Sequence, residues 1–136
     1  MYEHFVIRAW KERGELCEKP YKREIVPLFG PELRKVPEFN VNITYIDPFS
    51  RTQYHSHVIA ELIWVLSGHG EVLMEKEKYA LEPDTVLYVP KGVFHHIINN
   101  SPETMKLINV FAPGMNRAEQ KKRVVTKDPP VEQGRD

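Results

Sequence analysis

The segment His55-Ser56-His57-Val58-Ile59-Ala60-Glu61, followed after six intervening residues by Gly68, carries metal-ligand chemistry at strand spacing. A second run answers it: Pro90-Lys91-Gly92, two residues, His95, three residues, Asn99. In a β-strand, side chains at i and i+2 share a face, roughly 7 Å apart at Cα. Two imidazoles so placed can converge on one ion through bonds of about 2.0–2.1 Å. On a helix the same pair would point to nearly opposite sides. Leu62-Ile63-Trp64-Val65-Leu66 follows the segment and is rich in strand-forming residues. Glu61 stands an even step beyond His57, so an unbulged strand keeps it on the histidine face, and His95 must come from another strand. A lone His-x-His is most often an exposed cluster. Eight specified residues in one order make that reading a minor one. Three imidazoles and a carboxylate form a mixed nitrogen/oxygen site for a divalent transition metal.

These residues resemble the two motifs of the cupin superfamily. The first motif runs His-x-His, three or four residues, Glu, six residues, Gly, and is matched by His55, His57, Glu61 and Gly68. The second runs Gly, five residues, Pro-x-Gly, two residues, His, three residues, Asn, and is matched by Pro90, Gly92, His95 and Asn99. Two positions depart: Phe49 and Asp84 stand where the motifs open with glycine. The resemblance implies an antiparallel jelly-roll β-barrel in which His55, His57, Glu61 and His95 bind the metal. It spans about residues 40 to 112.

A chain of 136 residues fits one domain. The expected division is an irregular N-terminal segment (1–39) with edge strands, a barrel (40–114) and a C-terminal tail (115–136). Nineteen basic and nineteen acidic side chains cancel, which gives no footprint for nucleic acid. Cys17 is the sole cysteine, no signal-peptide pattern opens the chain, and no apolar run reaches membrane-spanning length. The expectation is a soluble cytoplasmic protein with no membrane partner.

Short apolar runs separated by turn signals argue for an all-β fold. The expected strands cover Val41–Ile46, Tyr54–Leu66, Glu71–Met74, Tyr79–Leu81, Thr85–Val89, Phe94–Ile98 and Met105–Phe111. Glu75 to Lys78 reads as a solvated hairpin tip. Phe5-Val6-Ile7 and Glu24-Ile25-Val26 read as edge strands, since prolines 20, 27, 31 and 37 keep strands there from being central. A short helix is expected over Arg117–Val124, then a flexible or loosely docked tail from Lys127.

Parity nominates pocket residues. Gln53 and Arg51 share the facing of His55 if the strand extends back to them, so Gln53 is a candidate substrate or water contact. Tyr45 is the second candidate, although a core tyrosine is the commoner outcome. His96 points away from its neighbour His95 and is expected on the exterior. Trp64, with Tyr54 and Tyr88, is expected to face outward, leaving an apolar patch that a homodimer would bury.

An octahedral ion with four protein ligands keeps two positions open for substrate oxygens, water or dioxygen. Fe, Mn, Ni or Zn suits the donor set. Similar cupins are dioxygenases, isomerases of sugars or sugar acids, decarboxylases and lyases. The expectation is a small metal-dependent enzyme of dioxygenase or isomerase type acting on a small oxygen-bearing molecule. The alternative is a module that binds metal and a small ligand without turnover. A purely structural zinc site is disfavoured, because such sites are typically closed and Cys-rich.

Overall fold

The computed structural model describes residues 1–122 and 124–130. Among them the strands are β1 (Glu15–Cys17), β2 (Arg23–Phe29), β3 (Asn40–Ile46), β4 (His55–His57), β5 (Glu61–Ser67), β6 (Gly70–Met74), β7 (Glu77–Leu81), β8 (Val86–Val89), β9 (His95–Ile98), β10 (Met105–Phe111) and β11 (Val124–Thr126). One short helix, α1 (Arg117–Lys122), precedes β11. All pairings are antiparallel, in a six-stranded sheet β1-β2-β3-β10-β5-β8 and a five-stranded sheet β11-β4-β9-β6-β7. Ile46, Ile63, Val65, Leu107 and Met105 from the first sheet pack with Val72, Leu81 and Ile97 from the second in one core. This is the antiparallel jelly roll expected from the short strands.

Strand period 2 is plain in β5, where Glu61, Ile63 and Val65 are buried while Leu62 and Trp64 are exposed. β10 lies between β3 and β5 and pairs along its whole length with β3, from Met105↔Ile46 to Phe111↔Asn40. Asn99 ties the strand ends together. Its buried amide donates to the carbonyls of Ile46 (3.1 Å), Asp47 (3.1 Å) and Glu103 (2.7 Å).

The flanks depart from a barrel with loose ends. Glu24-Ile25-Val26 lies in β2, and β1 pairs only with Arg23–Ile25, so Pro27 occupies an edge that asks for no donor. A register shift follows between Pro27 and Phe29. Phe5-Val6-Ile7 is not a strand: Glu3–Phe5 is a 3-10 turn. Ile7 and Ala9 cover the outer face of the large sheet against Val26, Leu28 and Ile43. The helix over Arg117–Lys122 leads into β11, which pairs with β4 through Val124↔His57 and Thr126↔His55. Lys127 is docked, its ammonium 3.9 Å from the Phe94 ring centroid and its N–H 3.1 Å from the Tyr54 carbonyl. The end of the expected tail, 131–136, lies outside the described residues.

Backbone conformation explains the motif glycines. Gly68 sits at φ +88°, and a Cβ there would lie 2.8 Å from the Met105 Cα and the Thr104 carbonyl oxygen. Phe49 and Asp84, the two replacements for glycine, keep left-handed backbones at φ 55° and 65°. Aspartate tolerates that region, and Asp84 also accepts a hydrogen bond from the Trp64 indole at 3.4 Å. Phe49 is 72% exposed, so its ring recovers little for the strain. Phe49→Gly is therefore expected to stabilise the fold by about 1 kcal/mol, read as a raised thermal midpoint, with a smaller effect for Asp84→Gly. An unchanged or lowered midpoint for Phe49→Gly would show that residue 49 is unstrained.

Candidate metal centre

His55 and His57 stand on one face of β4, as spacing requires, but Glu61 does not continue their strand. The chain breaks at Val58-Ile59-Ala60 and crosses from the five-stranded to the six-stranded sheet, so Glu61 reaches the histidines from the facing sheet. His95 joins from β9, directly paired with His55. The Pro90-Lys91-Gly92 turn fixes the relation of the two motifs, because the Gly92 N–H donates to the His57 carbonyl at 2.7 Å. Gly92 does so at φ +79°, a conformation that favours glycine.

One nitrogen from each histidine and one carboxylate oxygen of Glu61 all lie within 4.8 Å of one another. Bonds of about 2.1 Å would place cis ligand atoms about 3.0 Å apart and trans ones about 4.2 Å apart. The observed separations of Glu61 Oε1 from His95 Nε2 (3.1 Å) and His57 Nε2 (3.4 Å) match cis positions closely.

Hydrogen bonding adds a second test of fit. His55 Nδ1 and His95 Nδ1 face the carbonyls of Gln53 and Val93, which only accept, so both carry their proton there. Their Nε2 atoms are then lone-pair donors when the rings are neutral. His95 Nε2 nevertheless faces a carboxylate oxygen, which requires a proton or a cation between them. His57 Nε2 is buried and has no hydrogen-bond partner. A divalent cation satisfies all of these atoms at once, and the residues fit it.

The electrostatics agree. Burial alone would raise the Glu61 carboxyl, but contacts from His57 and His95 hold it well below the usual carboxylate range. Burial, with the neighbouring His95 and His57, pushes His55 down to about 4, so it stays neutral and able to ligate. At His95 burial works downward, yet the Glu61 contact outweighs it and the net direction is up.

The carboxylate is also held from behind. Asn109 Nδ2 donates to Glu61 Oε2 at 3.0 Å, and the Thr44 hydroxyl donates to Asn109 Oδ1 at 2.7 Å. Thr44 thus fixes which end of the amide faces the carboxylate, leaving Oε1 to the histidines. Asn109 and Thr44 were not nominated by the sequence reading; they lie on neighbouring strands in register Leu107↔Thr44 and Asn109↔Asn42. Only the pairing of β3 with β10 brings them together. Phe111 closes one side, edge-on to His57 with ring centroids 4.9 Å apart.

The cluster lines a cavity of about 720 Å³, within the range of small-molecule sites. Gln53 reaches this cavity at its rim, but not by strand parity, because β4 begins only at His55. Arg51 goes elsewhere, its guanidinium 5.8 Å from the Tyr21 ring centroid. Tyr45 does not line the cavity. Asn40, Asn42 and Thr44 are the residues of β3 that do, and Tyr45 packs on the opposite face against the Val26, Leu28 and Ile43 cluster. His96 faces away from His95 as expected, yet it is only 5% exposed, covered edge-on by Tyr54. Tyr54 is likewise buried rather than outward, beneath Lys127.

The fold and cluster define a small single-barrel jelly roll with a histidine-carboxylate site. A sequence model of the cupin domain matches residues 43–111, and the chain belongs to the cupin family. A search of curated protein sequences returns no match. Among solved structures, a protein from Thermotoga maritima described as a predicted oxalate decarboxylase is similar at TM-score 0.72 and 18% identity, covering 79% of this chain and 98% of that one. A protein from Acidithiobacillus ferrooxidans, provisionally described as a sugar phosphate isomerase, is similar at TM-score 0.69 and 23% identity, covering 82% and 77%. A polyketide cyclase from Streptomyces resistomycificus is similar at TM-score 0.71 and 14% identity, covering 85% and 89%. Likeness at these identities is likeness of fold.

His57→Ala is expected to lower bound metal per chain several-fold while leaving the barrel folded, as read by elemental analysis beside circular dichroism. His96→Ala is expected to keep its metal but to lower the thermal midpoint, since it opens a buried contact with Tyr54. Full metal retention by the first variant, or metal loss by the second, would contradict this ligand assignment.

Proposed function

We propose that this cupin is a metal-dependent enzyme that acts on a small oxygen-bearing organic molecule, in the manner of a dioxygenase or of an isomerase of sugars or sugar acids. His55, His57, Glu61 and His95 would hold a divalent first-row ion, Fe, Mn, Ni or Zn. The observation that carries the reading is the convergence of three imidazoles and a buried carboxylate on a cavity of small-molecule size. Bound there, the ion supplies Lewis acidity to a substrate oxygen or a water.

The chain's own residues do the rest. The Gln53 and Val93 carbonyls orient two imidazoles, and Asn109 restrains Glu61. Ile25, Pro27, Phe29, Leu107 and Phe111 give the cavity apolar walls that displace water from a bound substrate. Gln53, at the rim with no side-chain partner among the described residues, is placed to donate to a substrate oxygen. No helix among the described residues is long and apolar enough to cross a membrane. A cytoplasmic setting, where the lone Cys17 stays reduced, completes the reading.

Elemental analysis of protein purified without added metal is the test. Near-stoichiometric iron is expected to accompany oxygen uptake on diketones, catechols or thiols. Zinc, manganese or nickel is expected to accompany isomerisation, lyase or decarboxylase turnover of sugars and carboxylic acids. Metal and ligand binding without turnover would place the chain among binding modules instead, and failure to bind any metal would overturn the enzyme reading.

The same proposal includes a homodimer. On the outer face of the large sheet, Leu62 pairs with Tyr88 and Trp64 with Val86 in the β5–β8 register. Trp64 is 42% exposed and Tyr88 68%, while the N-terminal segment covers only the other end of that face. A second copy would bury this patch and protect the open edge of β8. Light scattering should give twice the chain mass for the wild type and a shift toward monomer for Trp64→Glu; a monomeric wild type would refute it.

A further inference from the structure

The polar groups that line the cavity divide into those already engaged and those left over. Asn40 is engaged: its amide donates to the Met115 carbonyl at 3.0 Å and its oxygen accepts the Met115 N–H at 2.6 Å. Thr44 and Asn109 are committed to each other and to Glu61. At the cavity mouth Arg117 is ion-paired with Glu15, and its backbone N–H donates to Glu32 at 3.2 Å.

Arg23 is different. It opens β2, lines the same cavity as the histidine cluster and is half-buried. Of the five N–H donors of a guanidinium, it engages the Tyr21 carbonyl at 2.9 Å through Nη1, and it forms no ion pair among the described residues. Its neighbour Glu24 is spent elsewhere, accepting the Gly14 N–H at 2.9 Å. On the adjacent strand Asn42 also faces the cavity, and its amide has no hydrogen-bond partner among the described residues. A half-buried guanidinium without a carboxylate carries a desolvation cost that a bound anion would offset.

The charge balance points the same way. Arg23, Arg117 and Lys121 on the cavity lining are matched by Glu15, Glu32 and Glu61. A divalent ion at the cluster would leave that balance positive by two, and a neutral substrate would leave it uncorrected.

We propose that the cavity takes a small organic oxyanion held at both ends: an oxygen pair at the His55/His57/Glu61/His95 cluster, and a distal carboxylate or phosphate on Arg23. This deepens the metal-enzyme reading and rests on it for the first of the two anchors. Arg23 is then the residue that selects anionic over neutral substrates, through a bidentate geometry that suits carboxylate and phosphate alike.

Two matched ligand pairs test this on nickel-loaded protein by calorimetry: lactate against malate, and glycerate against its terminal phosphate ester. Within each pair the α-hydroxy-acid end that chelates the ion is constant, and only the distal anion differs. Malate or the phosphate ester should bind roughly tenfold tighter or more than its partner, and the pair showing the larger gain identifies carboxylate or phosphate as the distal group. Arg23→Gln should erase the gain with metal content unchanged, while Arg23→Lys should retain part of it. Equal affinities within both pairs, or a gain that survives in Arg23→Gln, would overturn the proposal. Metal content is measured in the same samples. If no metal binds, the enzyme reading fails by itself, and the same pairs compared on metal-free wild-type and Arg23→Gln protein still decide the role of Arg23.

Discussion

A carboxylate cannot remain ionised inside a protein unless donors or cations replace the water it has lost, and Glu61 is 5% exposed at the junction of two sheets. Much of the surrounding architecture answers that constraint. His95 and His57 approach one oxygen, and Asn109, locked by Thr44, holds the other. A divalent ion among the histidines would turn an electrostatic liability into a binding site. The same buried charge explains why His95 Nε2 faces an oxygen although Nδ1 already donates to one.

Holding the histidines is the harder structural task, because their strand is only three residues long. β4 shares a single paired position with β9, at His55 and His95. Two further contacts secure it. The Gly92 turn grips the His57 carbonyl, and β11 covers the free edge along all three residues. The C-terminal segment is therefore part of the site's framework, anchored by Lys127 over the Phe94 ring. Asn99, from the second motif, touches no ligand; it gathers the ends of β3, β9 and β10 so that the sheets meet in register.

The readings that depended on local period hold where the chain is locally regular. β3 and β10 fall within a residue of the expected spans, and β5 alternates buried and exposed along its length. The readings that extended parity across a break do not hold. Counting back from His55 holds only if the strand runs through Arg51 and Gln53, yet β4 begins at His55, and of the two only Gln53 lines the main cavity. Tyr45 shares a strand face with Val41 and Ile43, and that face turns away from the cavity. In β3 the cavity side is polar, Asn40, Asn42 and Thr44, and the apolar side is covered by the N-terminal segment. His96 and Tyr54 do face away from the cavity, but a segment remote in sequence buries them.

The identities and spacings of His55, His57, Glu61, Gly68, Pro90, Gly92, His95 and Asn99 were enough to determine the family, the jelly roll and the candidate ligands, because each encodes a local requirement: a shared strand face, a left-handed turn or a donor type. Tertiary structure alone decided that Glu61 reaches the histidines from the opposite sheet, that Asn109 and Thr44 stand behind it, and that Arg23 and Asn42 face the same cavity. Those relations join residues far apart along the chain. They arise from strand pairing and sheet packing, which periodicity within a single strand does not encode.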